Sequence, residues 1–327
     1  MPTGKSTVDA NPYLFVVGAA RSGTTLLQRM LDAHHDLAVV NETYWVPRKY
    51  RERNGLTRTG LVTPALVDLL LESPKFDRMG ISREDLVRLV PTDSSVQYGP
   101  YVSQLFDLFA SRRGKRLAGD KTPGYVRRMG QLHELFPAAK FVHIIRDPRD
   151  VCVSMLDWKN GESTVGQFGT WADDPVVSTA LYWRLSVCRG RQDGASIGPA
   201  RYFELRYEEL VSRPEDVLTG VCRFLGVPYD AQMVRFYEGK TRIKAGRSTK
   251  AQWLPPTPGI RNWALDLDRG DVERIEVATG DLMLLCGYDR ETCADDEDGA
   301  LRSRVAAIKQ TFAHEVVGSG KSLPSLW

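Results

Sequence analysis

The sequence predicts an α/β fold of the P-loop-like kind: three layers, with a central parallel sheet flanked by helices and a helical insertion. Three observations carry that prediction. Short runs rich in apolar and β-branched residues recur along the chain, and each is followed by apolar residues at three-to-four spacing, the β-α repetition of a parallel sheet. A glycine-containing loop sits between the first such run and its helix. The 327 residues are 42% hydrophobic and 26% charged, which is the composition of an ordinary globular chain able to bury a core.

In chain order, residues 1–12 read as a flexible tail without the apolar stretch of a signal peptide. YLFVV at 13–17 is the first strand and TTLLQRMLDAH its helix. LAVV at 37–40 and RLAG at 116–119 are weaker strands. Between them, 44–111 reads as an insertion of helices such as PALVDLLLES packed over the sheet edge. KFVHIIR at 140–146 leads into the helix PRDVCVSML, and RYFELRY at 201–207 into EDVLTGVCRFLG. The stretch 239–268 is rich in Gly, Pro and basic residues and has no lasting period, so it reads as a long loop. The main domain is expected over 13–290, with an acidic linker and a final helix in 291–327.

Composition excludes several functions. The 44 Lys and Arg against 41 Asp and Glu leave a formal charge of +3, unlike the markedly basic domain of a nucleic-acid binder. No stretch has the length and apolarity of a membrane span. Five scattered cysteines, with no C-x-x-C pair, encode neither a disulfide framework nor a zinc ribbon and suit a reducing cytoplasm. The five histidines lack ligand spacing, so no metal is expected.

Gly18, four residues, then Gly23, Thr24 and Thr25 reproduce the spacing of G-x-x-x-x-G-K-[ST], with Thr24 at the lysine position. Losing that lysine speaks against a kinase using ATP and Mg²⁺. Arg21 keeps a cation in the loop, although a glycine turn with an incidental arginine would look similar. TGKST at 3–7 has the P-loop's ending but no strand before it. In IIRDPRDV, Arg146 stands at a strand's carboxyl end, Asp147 at an N-cap and Pro148 at the first helical position. Ligands of open α/β sheets bind at such strand ends, so Arg21 and Arg146 can converge on one ligand with two phosphates. Alternatively, Arg146 is a structural partner of Asp147 or Asp150.

GAARSGTTLL together with HIIRDPRDVCVSM resembles the sulfotransferase superfamily, which transfers a sulfuryl group from 3'-phosphoadenosine 5'-phosphosulfate (PAPS). The order RSGTTLLQRMLDAH, NET, GDKTP, LFPAAKF, RDPRD, YEEL and FLGVP is most similar to the tyrosylprotein sulfotransferase branch and its bacterial relatives, over about residues 13–290. The resemblance implies that Arg21, Ser22, Gly23, Thr24 and Thr25 hold the 5'-phosphosulfate, that Arg146 and Ser154 hold the 3'-phosphate, and that Tyr207 lies near the nucleotide. It also implies Glu42 as general base and Lys121 and Arg21 as cations that neutralise the transition state, with Ser248 of the RST run reaching a phosphate oxygen. PAPS is then the co-substrate, PAP the product, and the acceptor a hydroxyl of a small molecule, carbohydrate or lipid-linked compound. A peptide tyrosine is the alternative acceptor. A P-loop nucleotide kinase and a catalytically silent nucleotide-binding protein are the rival classes, and a homodimer is left open.

The chain departs from that pattern in having no membrane anchor, in carrying Asn41 before Glu42, and in diverging after RST into QWLPPTPG. From the residues alone, Glu42 reads equally as a surface carboxylate at a helix start. His34 or His35 is a rival base by chemistry, although their place at the end of the first helix suits packing or capping. The cluster Arg112, Arg113, Lys115 and Arg116 reads as surface. Trp158, Trp171, Trp183, Trp253 and Trp263 are divided between core packing and an acceptor cleft.

Overall fold

The computed structural model describes residues 13–90, 96–158, 164–238, 255–259, 262–292, 299–320, 322–325 and 327. Five parallel strands, β1 (Leu14–Val17), β2 (Leu37–Asn41), β3 (Leu117–Lys121), β4 (Lys140–Ile145) and β5 (Tyr202–Arg206), form one sheet in the order β2-β3-β1-β4-β5. All five expected strands are present. The weak run at 116–119 extends two residues further, to Lys121, which makes that lysine the last residue of β3 and the register partner of Asn41.

The strands are nearly continuous apolar runs because both faces of the sheet are covered. Successive side chains alternate between faces. Phe15, Val17, Ala38, Val40 and Phe141 face one core, which also contains Trp45, Phe76, Tyr98, Phe106 and Phe136. Leu14, Val16, Leu37, Val39, Val142 and Ile144 face the other, against α1 (Thr24–Ala33) and the helix Pro214–Leu225. The insertion folds as α2 (Trp45–Glu52), α3 (Ala65–Leu71), a 3-10 turn Phe76–Met79, α4 (Arg83–Leu89) and α5 (Tyr98–Ser111). It was expected over the sheet edge; instead it supplies much of one whole layer, because its aromatic residues bury against β1.

After β3 come a 3-10 helix Pro123–Arg128 and α6 (Met129–Leu135); after β4 comes α7 (Pro148–Leu156). The helix Pro175–Ile197 and the C-terminal helix Gly299–Gly318 share a third core, in which Phe168 and Phe312 meet at 4.2 Å. Among the described residues no helix is long and apolar enough to cross a membrane.

The strand order places the functional crevice. The chain leaves β1 toward β2 on one side and leaves β4 toward β5 on the other. The two loops therefore diverge at neighbouring strands, which opens a crevice at their carboxyl ends.

Candidate active site

The loop Gly18–Gly23 leaves β1 at this crevice. A Cβ on Gly18 would lie 2.5 Å from the Ile144 carbonyl oxygen, so only glycine lets the loop pass this close to β4. Arg21 and Gly23 both have left-handed backbones, at φ 74° and 91°. Gly23 is the N-cap of α1 and no side chain caps it, which leaves first-turn N–H groups available to an anion. The ring of Tyr207 lies where a Gly23 Cβ would be, at 2.3 Å. Ser22 is fully buried and its Oγ has no hydrogen-bond partner.

The second loop leaves β4. Asp147 accepts from the Arg149 N–H at 2.9 Å and so caps α7, with Pro148 at its first position, as expected. The Asp147 N–H donates to Glu208 at 3.0 Å, and Tyr288 holds the other Glu208 oxygen at 2.8 Å. Arg149 is spent on structure, pairing with Asp147 at 2.7 Å and buried Glu276 at 3.0 Å. Arg146 is 7% exposed. Its pairing with Asp150, the structural partner the sequence offered, is present: one nitrogen donates to Asp150 at 2.9 Å, while its guanidinium stacks 4.4 Å over Tyr207 and its Nε has no partner. Tyr207 thus touches both loops. A second link is Arg21 Nε donating to Ser154 Oγ at 2.9 Å, with Trp158 under the same guanidinium at 5.0 Å.

Beside the first loop, the ends of β2 and β3 meet. Lys121 is fully buried and donates to Glu42 Oε1 at 3.0 Å and Thr25 Oγ1 at 3.2 Å. Burial lowers the Lys121 pKa, against the pull of Glu42. Glu42 is not a free surface carboxylate capping a helix, because its second oxygen faces Lys75 at 3.5 Å and Arg78 at 3.7 Å. Burial alone would raise its carboxyl, yet Lys121, Lys75 and Arg78 together hold it below its ordinary value.

The backbone that presents Glu42 is unusual. Glu42 and Tyr44 are left-handed, at φ 59° and 55°, a conformation that costs a non-glycine residue about 1–2 kcal/mol. Between them Thr43 is pinned from below: its hydroxyl donates to fully buried Asp120 and accepts from Tyr125 at 2.7 Å, while Thr122 donates to Asp120 at 2.7 Å. Burial pushes the Asp120 carboxyl up to about 7. Asp120 and Lys121 are consecutive in β3, so one faces the insertion core and the other α1.

Thus Arg21, Ser22, Gly23, Thr24, Thr25, Glu42, Lys121, Arg146, Ser154 and Tyr207 lie around one crevice. Ser248, with the basic run from Lys240 to Lys250 and Trp253, is outside the described residues. His34 and His35 are elsewhere: His34 bonds the Pro228 carbonyl at 2.9 Å and His35 pairs with Asp230 at 2.9 Å. Among the described residues these two histidines and Asp230 form the one group close enough to share an ion. The nitrogens of His34 are already engaged, since Nδ1 accepts from the Asp36 N–H at 2.9 Å. Trp183 is core and donates to the Arg146 carbonyl at 2.9 Å, which takes it out of any acceptor cleft, and Trp263 is half-buried and stacks on Arg149 at 3.8 Å. Sequence reading missed Lys75, Arg78 and Glu208. Glu208 was legible in YEEL, whereas Lys75 and Arg78 reach Glu42 from the aperiodic part of the insertion.

A family model described as Sulfotransferase family matches residues 12–231. The chain is 25% identical over 289 residues to protein-tyrosine sulfotransferase 1 of Danio rerio, covering 85% of this chain and 72% of that protein. It is 27% identical over 261 residues to omega-hydroxy-beta-dihydromenaquinone-9 sulfotransferase of Mycobacterium bovis, covering 68% of this chain and 64% of that one. The fold is similar to the sulfotransferase domain from the curacin biosynthetic pathway, with a TM-score of 0.52 and 21% identity over 85% of this chain and 98% of that domain. With two thirds of its length matched and the phosphate-loop crevice in place, the chain belongs to the sulfotransferase family and is a PAPS-dependent enzyme of that class.

Proposed function

We propose that the crevice performs O-sulfonation with Glu42 as general base, Lys121 and Arg21 as charge-compensating cations, and the two loops as the PAPS clamp. The observation that carries this reading is the Lys121 ammonium, which bonds Thr25, in the first turn of α1, and the Glu42 carboxylate together. In-line transfer needs acceptor, base and sulfur within contact distance, and one buried lysine ties Glu42 to the residues proposed to hold the sulfonate end of the donor.

The residues fit the donor. An uncapped helix start, the unpartnered Ser22 hydroxyl and the backbone of Gly23, Thr24 and Thr25 suit a 5'-phosphosulfate. Arg146, with its Nε unbonded, and Ser154 suit the 3'-phosphate, and the Tyr207 ring between the loops suits the nucleotide. As the acceptor oxygen bonds to sulfur, its proton passes to Glu42 and the bond from sulfur to the 5'-phosphate oxygen breaks. Lys121 and Arg21 then face the charge that grows on the departing PAP. This reading assigns no metal, because the side-chain cations meet that charge.

The acceptor in this reading is a hydroxyl of a small molecule, carbohydrate or lipid-linked compound, supported by the similarity to the menaquinone-type enzyme of Mycobacterium bovis. A peptidyl tyrosine is the second reading, supported by the longer match to the Danio rerio protein. A cytoplasmic setting suits Cys152, Cys188, Cys222 and Cys286, all of which are buried. Two titrations test the clamp: Arg146→Ala should weaken PAP by about tenfold or more while barely changing adenosine 5'-phosphate. Equal losses for both nucleotides would remove Arg146 from the 3'-phosphate. Incubation with PAPS and a panel of sugars, phenols, lipid alcohols and tyrosyl peptides, read as sulfonate mass gain, identifies the acceptor class.

A further inference from the structure

A second basic site is built on the segment that follows β3. Arg127 and Arg128 end the 3-10 helix that follows Lys121, and Arg189 projects from the helix Pro175–Ile197. Together with Gln131, Asp193 and Ser322 they line a cavity of about 240 Å³. Its charges do not balance. Asp193 is the single carboxylate of the lining, and it is partly spent on the Gly130 N–H at 3.2 Å and on Arg189 at 4.0 Å. Arg189 is further held by the Ser322 hydroxyl at 3.0 Å. Arg127 has a buried Nη1 without a hydrogen-bond partner, while its guanidinium stacks on Tyr182 at 4.9 Å. Burial, and then Arg51, Arg127 and Arg189, pull the Arg128 guanidinium below its ordinary pKa.

Gathering three arginines around a cavity with one carboxylate costs free energy that an anion would recover. A guanidinium fork matches oxyanion geometry, and an unpaired buried N–H is costly until a partner arrives. Arg127 and Arg128 close the 3-10 helix that follows the end of β3, where Lys121 bonds the Glu42 carboxylate.

We propose that this cavity is an oxyanion-binding subsite, separate from the PAPS clamp, that takes a phosphate or sulfate monoester group or the free inorganic ion. Its place as an acceptor subsite rests on the reading of Glu42 as base; its anion binding does not. The first test keeps the two apart. With the clamp saturated by PAP, inorganic phosphate is titrated against the wild type, Arg127→Gln, Arg128→Gln and Arg146→Ala, and thermal stabilisation is read. Phosphate should stabilise the wild type and the PAP-saturated Arg146→Ala protein alike, and its apparent affinity should fall about tenfold in Arg127→Gln and Arg128→Gln. No stabilisation, or equal stabilisation in all four proteins, overturns the proposal. The two arginine variants serve as checks on each other should one fail to fold.

The second test separates the sources. If the anion belongs to the acceptor, phosphate competes with a phosphorylated acceptor, and Arg128→Gln raises the KM of that acceptor while leaving its kcat and the KM for PAPS unchanged. If the free ion is the ligand, phosphate changes kcat without competing, and Arg128→Gln removes that response.

Discussion

Glu42 is a carboxylate facing three cations, and that environment decides how it can work. Lys121, Lys75 and Arg78 favour its ionised form, so this carboxylate stays ionised at low pH and protonates only below the ordinary glutamate range, about 4.3. Under the proposal that Glu42 is the base, turnover needs the ionised carboxylate, so the acidic limb of kcat/KM should lie below that value and rise when a cation is removed. Arg78→Ala and Lys75→Ala should each move that limb to higher pH, while a limb that stays in place would show that Glu42 does not set it. Glu42 and Lys121 could be named from NET and GDKTP. Lys75 and Arg78 could not, because only the folded insertion brings a 3-10 turn beside the end of β2.

The two loops assigned to the proposed clamp were legible because each is a local rule in the sequence: a glycine loop between strand and helix, and Asp-Pro at a helix start. What the local rules omit is the third element, the helix that begins at Tyr207 and fills the space left by Gly23. Gly23 is required twice, by a left-handed backbone and by the Tyr207 ring at 2.3 Å from its missing Cβ. Gly23→Ala should therefore cost roughly 2–3 kcal/mol in chemical unfolding, from backbone strain plus the displaced ring. PAP affinity should fall with it, since the same ring stacks on Arg146. An unaffected midpoint and affinity would show that the loop relaxes freely. Ser248, which the resemblance places at a phosphate oxygen, lies outside the described residues, so that contact stands as a proposal.

For the whole molecule, β-α repetition sufficed to predict a parallel sheet covered on both faces, because strands buried on two sides are written as continuous apolar runs. Layer assignment was less legible, since the insertion's aromatics carry no label saying which face they cover. Nor did periodicity reveal Asp120, a carboxylate inside that layer that secures Thr43 and hence the left-handed turn at Glu42. Its titration reaches global stability. The folded carboxyl protonates near 7, against 3.8 for the ordinary group, so between about pH 4 and 7 the folded state binds the extra proton and stability falls as pH rises. The melting temperature of the wild type relative to Asp120→Asn should accordingly increase by several degrees on going from about pH 8 to about pH 5. A pH-independent difference would mean that Asp120 does not titrate in that window.

All three scales meet at one carboxylate placed by a left-handed turn at the end of a strand, linked by one lysine to the donor loop. The most direct test is single-turnover transfer from ³⁵S-labelled PAPS by the wild type and Glu42→Gln, with PAP affinity measured on the same preparations. Loss of about 10²–10⁴ in the transfer rate with PAP affinity kept is the predicted result. Transfer at the wild-type rate by Glu42→Gln would contradict it and send the search for the base elsewhere in the crevice.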